Sequence, residues 1–583
     1  MKYSDQIADW LKSWGYTHCF YLSGGNIMHL LNSFRTKLEC IPILHEVAGG
    51  IAAEYFNQTS DKNSKALALV TAGPGLTNIV TAIGGSFLEG RELLVIGGQV
   101  KKSDLSNHTV VQKGIQEIDG VSIVRPITKL SKRIDSPINS DKFYKLITHK
   151  SKKQGPVFIE MPLDVQGATS NFNLKIKSNQ KLKINVNLNR VKKVANILKN
   201  AERPSILIGG GVTRKTSKNL LSKLKKIKVP LFTTYNGADR VPSDFPNYFG
   251  RPNTWGKRYS NIYIQQSDLL LVLGSRLGLQ QTGFNWKEFI PKGKIIQVDT
   301  DDRELKKGHP NIDIAIKDDV NLFIKNLLDH NLGDHSSWIN YGKKIKEYFP
   351  LNDKHNVKSK KYMSPYIFYE KLSKICKEGE VIVPCSSGGA FTTFYQSFMN
   401  KKNQKIVSNK SLASMGYGLS GAIGACFANP KSKIIHIEGD GGFSQNIQEV
   451  GTVSCNNLNL KSFIFDDYGY ASIRMTQRNY FGGVYMGCDK DTLLGIPDWD
   501  KIFSGWGART YRLKNNFEND PKFIKLFNDK GPVFFIVPIN PEQTYFPKIS
   551  SRITSKGSME SNPLHYMSPD LSPEEIKEFL KFI

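Results

Sequence analysis

The chain has 583 residues, 39% apolar and 23% charged, an ordinary globular balance and long enough for several domains that each bury a core. Its net charge of +28 is spread along the sequence, in short lysine clusters such as 223–228 and 358–361 without interleaved aromatics, which argues against a nucleic-acid partner. No run of about twenty apolar residues is present, which argues against a membrane-spanning helix, and seven scattered cysteines with no CxxC pair read as reduced thiols of a cytoplasmic protein without a zinc site.

The sequence opens with MKYSDQIADWLKSWGY, an amphipathic helical pattern with no signal-peptide core. Apolar runs at 19–22, 41–44, 66–71, 93–96 and 157–160 alternate with helical patterns, so residues 1–165 are expected to form an α/β segment on a parallel sheet. A polar, lysine-rich stretch to about 190 reads as a linker. The second α/β segment, 190–330, starts with a helix at 190–200. Its strands are expected at 204–208, 229–234, 269–273 and 294–298, the first followed by Gly209-Gly210-Gly211. Residues 331–363 are polar and broken and read as a second linker. A third α/β segment spans 364–545, and 546–583 is expected to be a tail wrapped over the body, closed by a short helix at 573–582.

Most of the chemistry sits in the third segment, in KIIHIEGDGGFSQNIQEVGTVSCNNLNLKSFIFDDYGYASIRMTQ at 433–477. One apolar run stops at Gly439-Asp440-Gly441-Gly442, helical spacing follows at Phe443, Ile447 and Val450, and a second run stops at Asp466-Asp467-Tyr468-Gly469. This order places both acidic turns at the C-terminal edge of a parallel sheet, where ligands bind. Glycines let the backbone approach an anion, and amides opening a helix at Ser444 favour phosphate oxygens. Asp440 and Asp467 add the hard oxygens that Mg²⁺ or Ca²⁺ needs to bridge to a diphosphate. Gly-Asp-Gly alone reads more simply as a tight turn with a solvated aspartate; two such turns together are rarer. In the first segment, Glu46 of LHEVAGG ends a strand and enters a small-residue helix. It is either a carboxylate stabilised by the helix dipole or a functional buried acid.

Four stretches in succession carry a resemblance: HEVAGGIAAEYF, LVTAGPGLTNIVTAIGGSFLEGRELLVIGGQV, LASMGYGLSGAIGACFANP and the 433–477 stretch. Over nearly the whole chain the sequence resembles the acetolactate synthase-like family of thiamine diphosphate (ThDP) enzymes. The resemblance implies a pyrimidine-binding domain at 1–165, a central Rossmann-like domain at 190–330 and a diphosphate-binding domain at 364–545. It also implies a homodimer or homotetramer with sites between subunits. Glu46 would share a proton with N1′ of the aminopyrimidine. Gly73, Pro74, Gly75 and Asn78 would face the cofactor. Met415 would support its bent shape, and the Ala413 carbonyl would receive the 4′-amino proton. Gly388 and Gly389 would form one diphosphate turn, and Gly441 and Gly442 the other. Asp440, Asp467 and the carbonyl of Gly469 would hold Mg²⁺. The family's central domain holds FAD in some members and ADP or nothing in others; Gly209 to Gly211 and Arg276 match positions near the flavin, and Asp299 could contact a ribose.

Four departures bear on specificity. The family's second metal ligand is usually asparagine and here is Asp467. Gly389-Ala390-Phe391 stands where acetolactate synthases carry Gln-His-Gln. Gln280 replaces an arginine that helps hold the second 2-oxo acid, and it offers no charged fork. Thr476, beside Gln477, replaces a tryptophan that favours 2-oxobutyrate. The implied activity keeps the donor half and changes the acceptor half. A 2-oxo acid, pyruvate first, is decarboxylated, and the activated aldehyde passes to a carbonyl acceptor such as an aldehyde or keto-sugar, with Gln280, Thr476 and Gln477 as substrate-reading candidates. Acetolactate synthase proper, a plain 2-oxo acid decarboxylase and a ThDP-dependent hydrolase of a cyclic diketone are the alternatives. A non-catalytic relative is disfavoured by the joint presence of Glu46, Met415 and both carboxylates.

Overall fold

The near-continuous apolar runs form strands buried on both faces, as parallel sheets flanked by helices require. A computed structural model describes residues 1–61, 64–148, 154–172, 186–385, 388–555 and 557–583. It carries three all-parallel α/β sheets, as expected from the alternating pattern. The first linker falls largely outside the described residues.

The chain divides into two compact units, and the first combines Met1–Gln180, Glu380–Ala390 and Val407–Pro538. Two of the sheets lie in it. One has the spatial order Glu39–Pro42, Tyr16–Tyr21, Lys65–Val70, Leu93–Gln99, Pro156–Pro162, Leu130–Arg133. The other runs through Val381–Pro384, Ile434–Gly439, Leu460–Asp466, Val533–Pro538 and Arg509–Arg512. From its second strand onward the first sheet follows the same succession as the other. The first sheet has a switch point between Tyr16–Tyr21 and Lys65–Val70, and in both sheets ligands are expected at the C-terminal strand edges. At these edges the sequence reads Ser23-Gly24-Gly25 and Gly73-Pro74-Gly75 in one sheet, and Gly388-Gly389 and Asp440-Gly441 in the other.

One core joins the two sheets of this unit, through the helix Glu46–Thr59 packed on Tyr417–Ala428. Their approach is set by glycine. A Cβ on Gly424 would overlap the carbonyl oxygen of Ala52, and one on Gly421 would stand 2.6 Å from the Tyr55 ring. On the opposite flank of the same helix, a Cβ on Gly50 would come within 2.6 Å of Ala82 in the helix Pro74–Glu89.

The second unit combines Lys181–Gly379, Phe391–Ile406 and Ile539–Ile583. Its sheet runs Ile314–Lys317, Lys294–Asp299, Leu269–Leu273, Pro204–Ile208, Leu231–Thr233. Residues 331–363 do not form a plain linker: Ser336–Tyr348 is a helix that buries Trp338, Ile339, Gly342 and Ile345, one amphipathic face in otherwise polar text. The tail packs within this unit. Its Lys548–Ile549 strand pairs antiparallel with Met567–Ser568, Arg258 donates to the carbonyls of Met567 (3.1 Å) and Pro569 (2.7 Å), and the closing helix is Pro573–Phe579.

The glycine-limited contact makes a direct prediction. Gly424→Ala should destabilise the protein by at least ~2 kcal/mol, because the helices must separate to admit the methyl group. Thermal unfolding followed by circular dichroism checks this. Gly495→Ala, whose Cβ meets nothing within 4 Å, is the neutral control.

Candidate active site

The turn ahead of Glu46 is held by a carboxylate. After the strand Glu39–Pro42, the amides of Leu44 and His45 both donate to Oε1 of Glu449, each at 3.0 Å, and Thr452 donates to its other oxygen at 2.6 Å. Glu449 is fully buried, and burial raises its pKa against those three hydrogen bonds. His45 then caps the helix, its Nδ1 accepting from the Val47 amide at 3.3 Å. Glu46, the first helical residue, is buried, and its Oε2 accepts from Nδ2 of Asn78 at 3.0 Å.

Asn78 lies in the first turn of Pro74–Glu89. Gly73 precedes that helix with φ +63° and ψ −112°, and a Cβ there would sit 2.8 Å from the Gln116 carbonyl oxygen. Glycine is therefore required, and Pro74 fits the first helical position, where no amide partner is needed.

Asp440 begins a short helix, Asp440–Phe443, directly from the strand Ile434–Gly439. The expected single helix from Ser444 is instead a 3₁₀ turn, Ser444–Asn446, followed by Glu449–Cys455, so the helix opens at the aspartate itself. Oδ1 of Asp440 accepts from the Gly441 amide at 2.6 Å, and Oδ2 from the Gly469 amide at 3.0 Å. A Cβ on Gly441 would overlap the Tyr470 ring, so the turn admits only glycine. Asp467 directly follows the neighbouring strand, Leu460–Asp466. Burial pushes its carboxyl up to about 7, with Arg474 opposing. Burial, followed by the charges of Asp467 and Asp466, also raises Asp440 well above the carboxylate range. Oδ1 of Asp467 is buried and accepts no hydrogen bond.

Two like carboxylates in contact, one with an orphaned oxygen, form a donor set suited to a hard cation. Tyr468 at φ +63° and Gly469 at φ +125° turn the backbone beside them. Among the described residues no group of three or more His, Cys, Asp or Glu is placed for a metal. The expected set is two carboxylates and one carbonyl, with the remaining oxygens to come from a diphosphate and water.

Ala413 has φ +56°, a left-handed conformation that costs a non-glycine residue about 1 kcal/mol or more. Its loop is fixed on both sides. The buried Glu89 carboxylate accepts from the amides of Lys410 (2.6 Å) and Ser411 (2.8 Å). Arg91 donates to the Ser408 carbonyl at 2.7 Å and pairs with buried Glu54 at 2.8 Å, while the Tyr417 hydroxyl donates to Glu54 at 2.7 Å. On the far side, Asn446 donates to the Gly416 carbonyl at 2.7 Å. Met415, half-buried, lies between these anchors with Gln445 at its sulfur. Gly388 has φ +52°, and a Cβ there would face Ser472 Oγ at 2.9 Å; Gly389 and Gly442 are buried. Phe391 already belongs to the second unit, where it is buried against Tyr235 and Tyr395.

The structure thus forms two groups: Glu46 with Asn78, and Asp440 with Asp467 and Gly469. No hydrogen bond joins the groups within the chain among the described residues. Glu449, Arg474, Glu89 and Arg91 carry no role in the sequence reading. Arg474 is buried, donates to the carbonyls of Asp467 and Tyr468, the latter at 3.2 Å, and so braces the turn that carries Asp467 and Gly469. Its only local signal is a charged residue on the inward face of the helix Ala471–Tyr480.

The substrate candidates are placed differently. Thr476 is exposed and donates to its own helix at Ser472 O, 3.0 Å. Gln477 is engaged at both ends of its amide, donating to Met486 O (3.1 Å) and accepting from Met486 N (3.2 Å). Gln280 is exposed in the second unit on the turn Leu279–Thr282. There, Gly209 and Gly211 serve close packing: a Cβ on Gly211 would stand 2.9 Å from Gly274 Cα, and the Gly211 amide donates to Gly274 O at 2.9 Å. Asp299, raised chiefly by burial, accepts from the Asp301 amide at 2.9 Å.

The acid pair predicts a pH signature in protein stripped of metal and ThDP. The native state keeps protons that the unfolded chain releases between about pH 4 and about 7, so stability should fall as pH rises across that window. Asp467→Asn removes one of the two buried charges. It should raise the thermal midpoint most at pH 8 and progressively less as pH falls toward about 4, as read by scanning calorimetry with chelator present.

Comparison with known proteins agrees with this geometry. The family model described as the thiamine pyrophosphate (that is, ThDP) enzyme N-terminal TPP binding domain matches residues 1–123. Those for the central domain and the C-terminal TPP binding domain match 191–327 and 387–537. The acetolactate synthase isozyme 1 large subunit of Escherichia coli K12 is 27% identical over 556 residues, covering 93% of this chain and 95% of that protein. The acetolactate synthase large subunits of Cyanidium caldarium and Buchnera aphidicola are 26% and 28% identical over 530 and 557 residues. Coverage is 87% of both chains for the first, and 91% of this chain and 94% of that protein for the second. With matching domains in this order and relatives aligned end to end, the chain belongs to the thiamine diphosphate-dependent enzymes, as a carboligase or decarboxylase of the acetolactate synthase-like kind.

Proposed function

We propose that the protein decarboxylates a 2-oxo acid, pyruvate first, and joins the resulting unit to a carbonyl acceptor other than a second simple 2-oxo acid. The observation that carries the reading is the pairing of a buried, Asn78-bound Glu46 with a separate diphosphate-type turn whose two carboxylates leave one oxygen unpartnered. ThDP, when bound, supplies the nucleophilic carbon and the electron sink. Glu46 would hold the proton at the aminopyrimidine through its carboxylate oxygens, with Asn78 fixing their direction. The left-handed Ala413 would present its carbonyl to the amino group, and Met415 would support the ring system. Asp440, Asp467 and the Gly469 carbonyl would hold Mg²⁺, and Gly388, Gly389, Gly441 and Gly442 would admit the diphosphate.

The altered acceptor rests on Gln280 and Thr476, neither of which brings a cation or a large ring to read a second 2-oxo acid. Assembly as a homodimer or homotetramer is supported by apolar residues left exposed near both halves of the site. These are Val110, Val111 and Ile115 on one side and Phe481, Val484 and Met486 on the other. The glycine triplet of the central unit is consumed by packing and carries no argument for FAD; a flavin absorption band in purified protein reads that question directly. No helix is long and apolar enough to cross a membrane among the described residues, and a cytoplasmic location is part of the same proposal.

Glu46→Gln should retain ThDP and metal binding but slow exchange of the cofactor's C2 proton by about 100-fold or more. Unchanged exchange would take Glu46 out of the mechanism. Pyruvate incubated with varied aldehydes and ketones, with products read by mass spectrometry, tests the acceptor. More mixed product than acetolactate is expected, whereas acetolactate from two pyruvates in equal or greater yield would restore acetolactate synthase proper.

A further inference from the structure

The second unit holds a cavity of about 210 Å³ whose lining includes Arg251, Lys257 and Lys346 and no aspartate or glutamate. Arg251 and Lys257 belong to the segment ahead of the helix Arg258–Gln265, and Lys346 to the helix Ser336–Tyr348. Arg251 is buried. Its Nη1 donates to the carbonyls of Tyr395 (3.2 Å) and Phe398 (3.0 Å) and its Nη2 to Asn400 Oδ1 (2.8 Å), while Nε is buried without a partner. Its hydrogen-bond partners among the described residues are therefore neutral oxygens. Lys257 Nζ makes no hydrogen bond among the described residues and lies 5.5 Å from the centre of the Tyr259 ring. Lys346, exposed as a residue, also lines the cavity, and its Nζ donates to Tyr248 O at 3.3 Å.

A lysine excess spread along the chain accounts for solvated surface charge. It does not account for a buried arginine and an inward lysine facing one cavity, because like charges taken from water without a counter-ion are expensive. The strain is visible at Lys257, where burial, then the charges of Arg251 and Lys346, push the ammonium well below the ordinary lysine range. An anion between the three would relieve both the desolvation and the repulsion. Its size is bounded: the cavity is smaller than the ~300–1,000 Å³ of pockets enclosing drug-sized ligands, and Tyr259 and Phe349 wall it. Gly209, Arg276, Gln280 and Asp299 are not in its lining, and the ThDP-binding residues belong to the first unit.

We propose that this cavity is a binding site for a small phosphate-class oxyanion, inorganic phosphate or the phosphate end of a phosphomonoester, held by Arg251, Lys257 and Lys346. The test is calorimetric titration of inorganic phosphate into protein saturated with ThDP and Mg²⁺, so that the cofactor's own diphosphate site is filled. One phosphate should bind per chain with Kd below about 1 mM. Lys257→Met should weaken binding at least tenfold. Lys346→Met, on the exposed helix face, should do so independently of any change in the core. Glycerol 3-phosphate in place of phosphate separates the sources: tighter binding assigns the site to a phosphomonoester, and equal or weaker binding to phosphate itself. Tighter binding of malonate than of phosphate overturns the phosphate class. Absence of binding below ~10 mM, or unchanged affinity in Lys257→Met, overturns the site.

Discussion

The close contact between Glu46–Thr59 and Tyr417–Ala428 is the constraint on which the rest of the first unit depends. Where Gly424 meets Ala52 there is no room for a methyl group, so the two helices are held at one separation. That separation brings Glu449 under the amides of Leu44 and His45, and it brings Glu89 and Arg91 against the loop that carries Ala413 and Met415. Each carboxylate replaces water on backbone amides that would otherwise be buried unpaired. Glu449 and Glu89 are thus fixed to the backbone, and the Glu89 contacts help a strained residue such as Ala413 persist.

Asp440 and Asp467 are the exception. Their backbone hydrogen bonds do not balance two like charges in a buried site, and one oxygen is left over. A site that is costly when empty and complete with a cation has its affinity built into the protein's own electrostatics. Arg474 moderates the cost by bracing the turn through Asp467 O and Tyr468 O. An asparagine at 467 would ease the repulsion; on the proposed reading, the aspartate ties the stability of this turn more closely to a bound cation.

Much of this was legible in the sequence, for physical reasons that differ between residues. The glycine turns announce themselves because their positive φ or close approach excludes every other residue, and buried parallel strands announce themselves as unbroken apolar runs. The strand Leu130–Arg133 and the strand Ile314–Lys317 were not legible, being short and lying at sheet edges where polar side chains are tolerated. The helix Ser336–Tyr348 hid in polar text because only Trp338, Ile339, Gly342 and Ile345 mark its inner face. The break after Phe443 was invisible because apolar spacing does not distinguish one helix from two joined by a 3₁₀ turn. Glu449, Glu89 and Arg91 act on chain segments as many as 405 positions away, and no local pattern encodes such a partner.

The order of the chain gives the glycine contact a further consequence. Residues of the first unit come in three pieces, interrupted by Lys181–Gly379 and Phe391–Ile406. During synthesis the Glu46 helix emerges long before Tyr417–Ala428 exists, and its alanine and glycine face, shaped to receive another helix, has nothing to bury against. The ribosome must deliver more than 350 further residues, at roughly 5–20 per second, before the face is covered. The nascent chain spends that interval as a half-finished fold, and the small, featureless side chains that permit the final contact also make the waiting surface a weak one for wrong partners to grip.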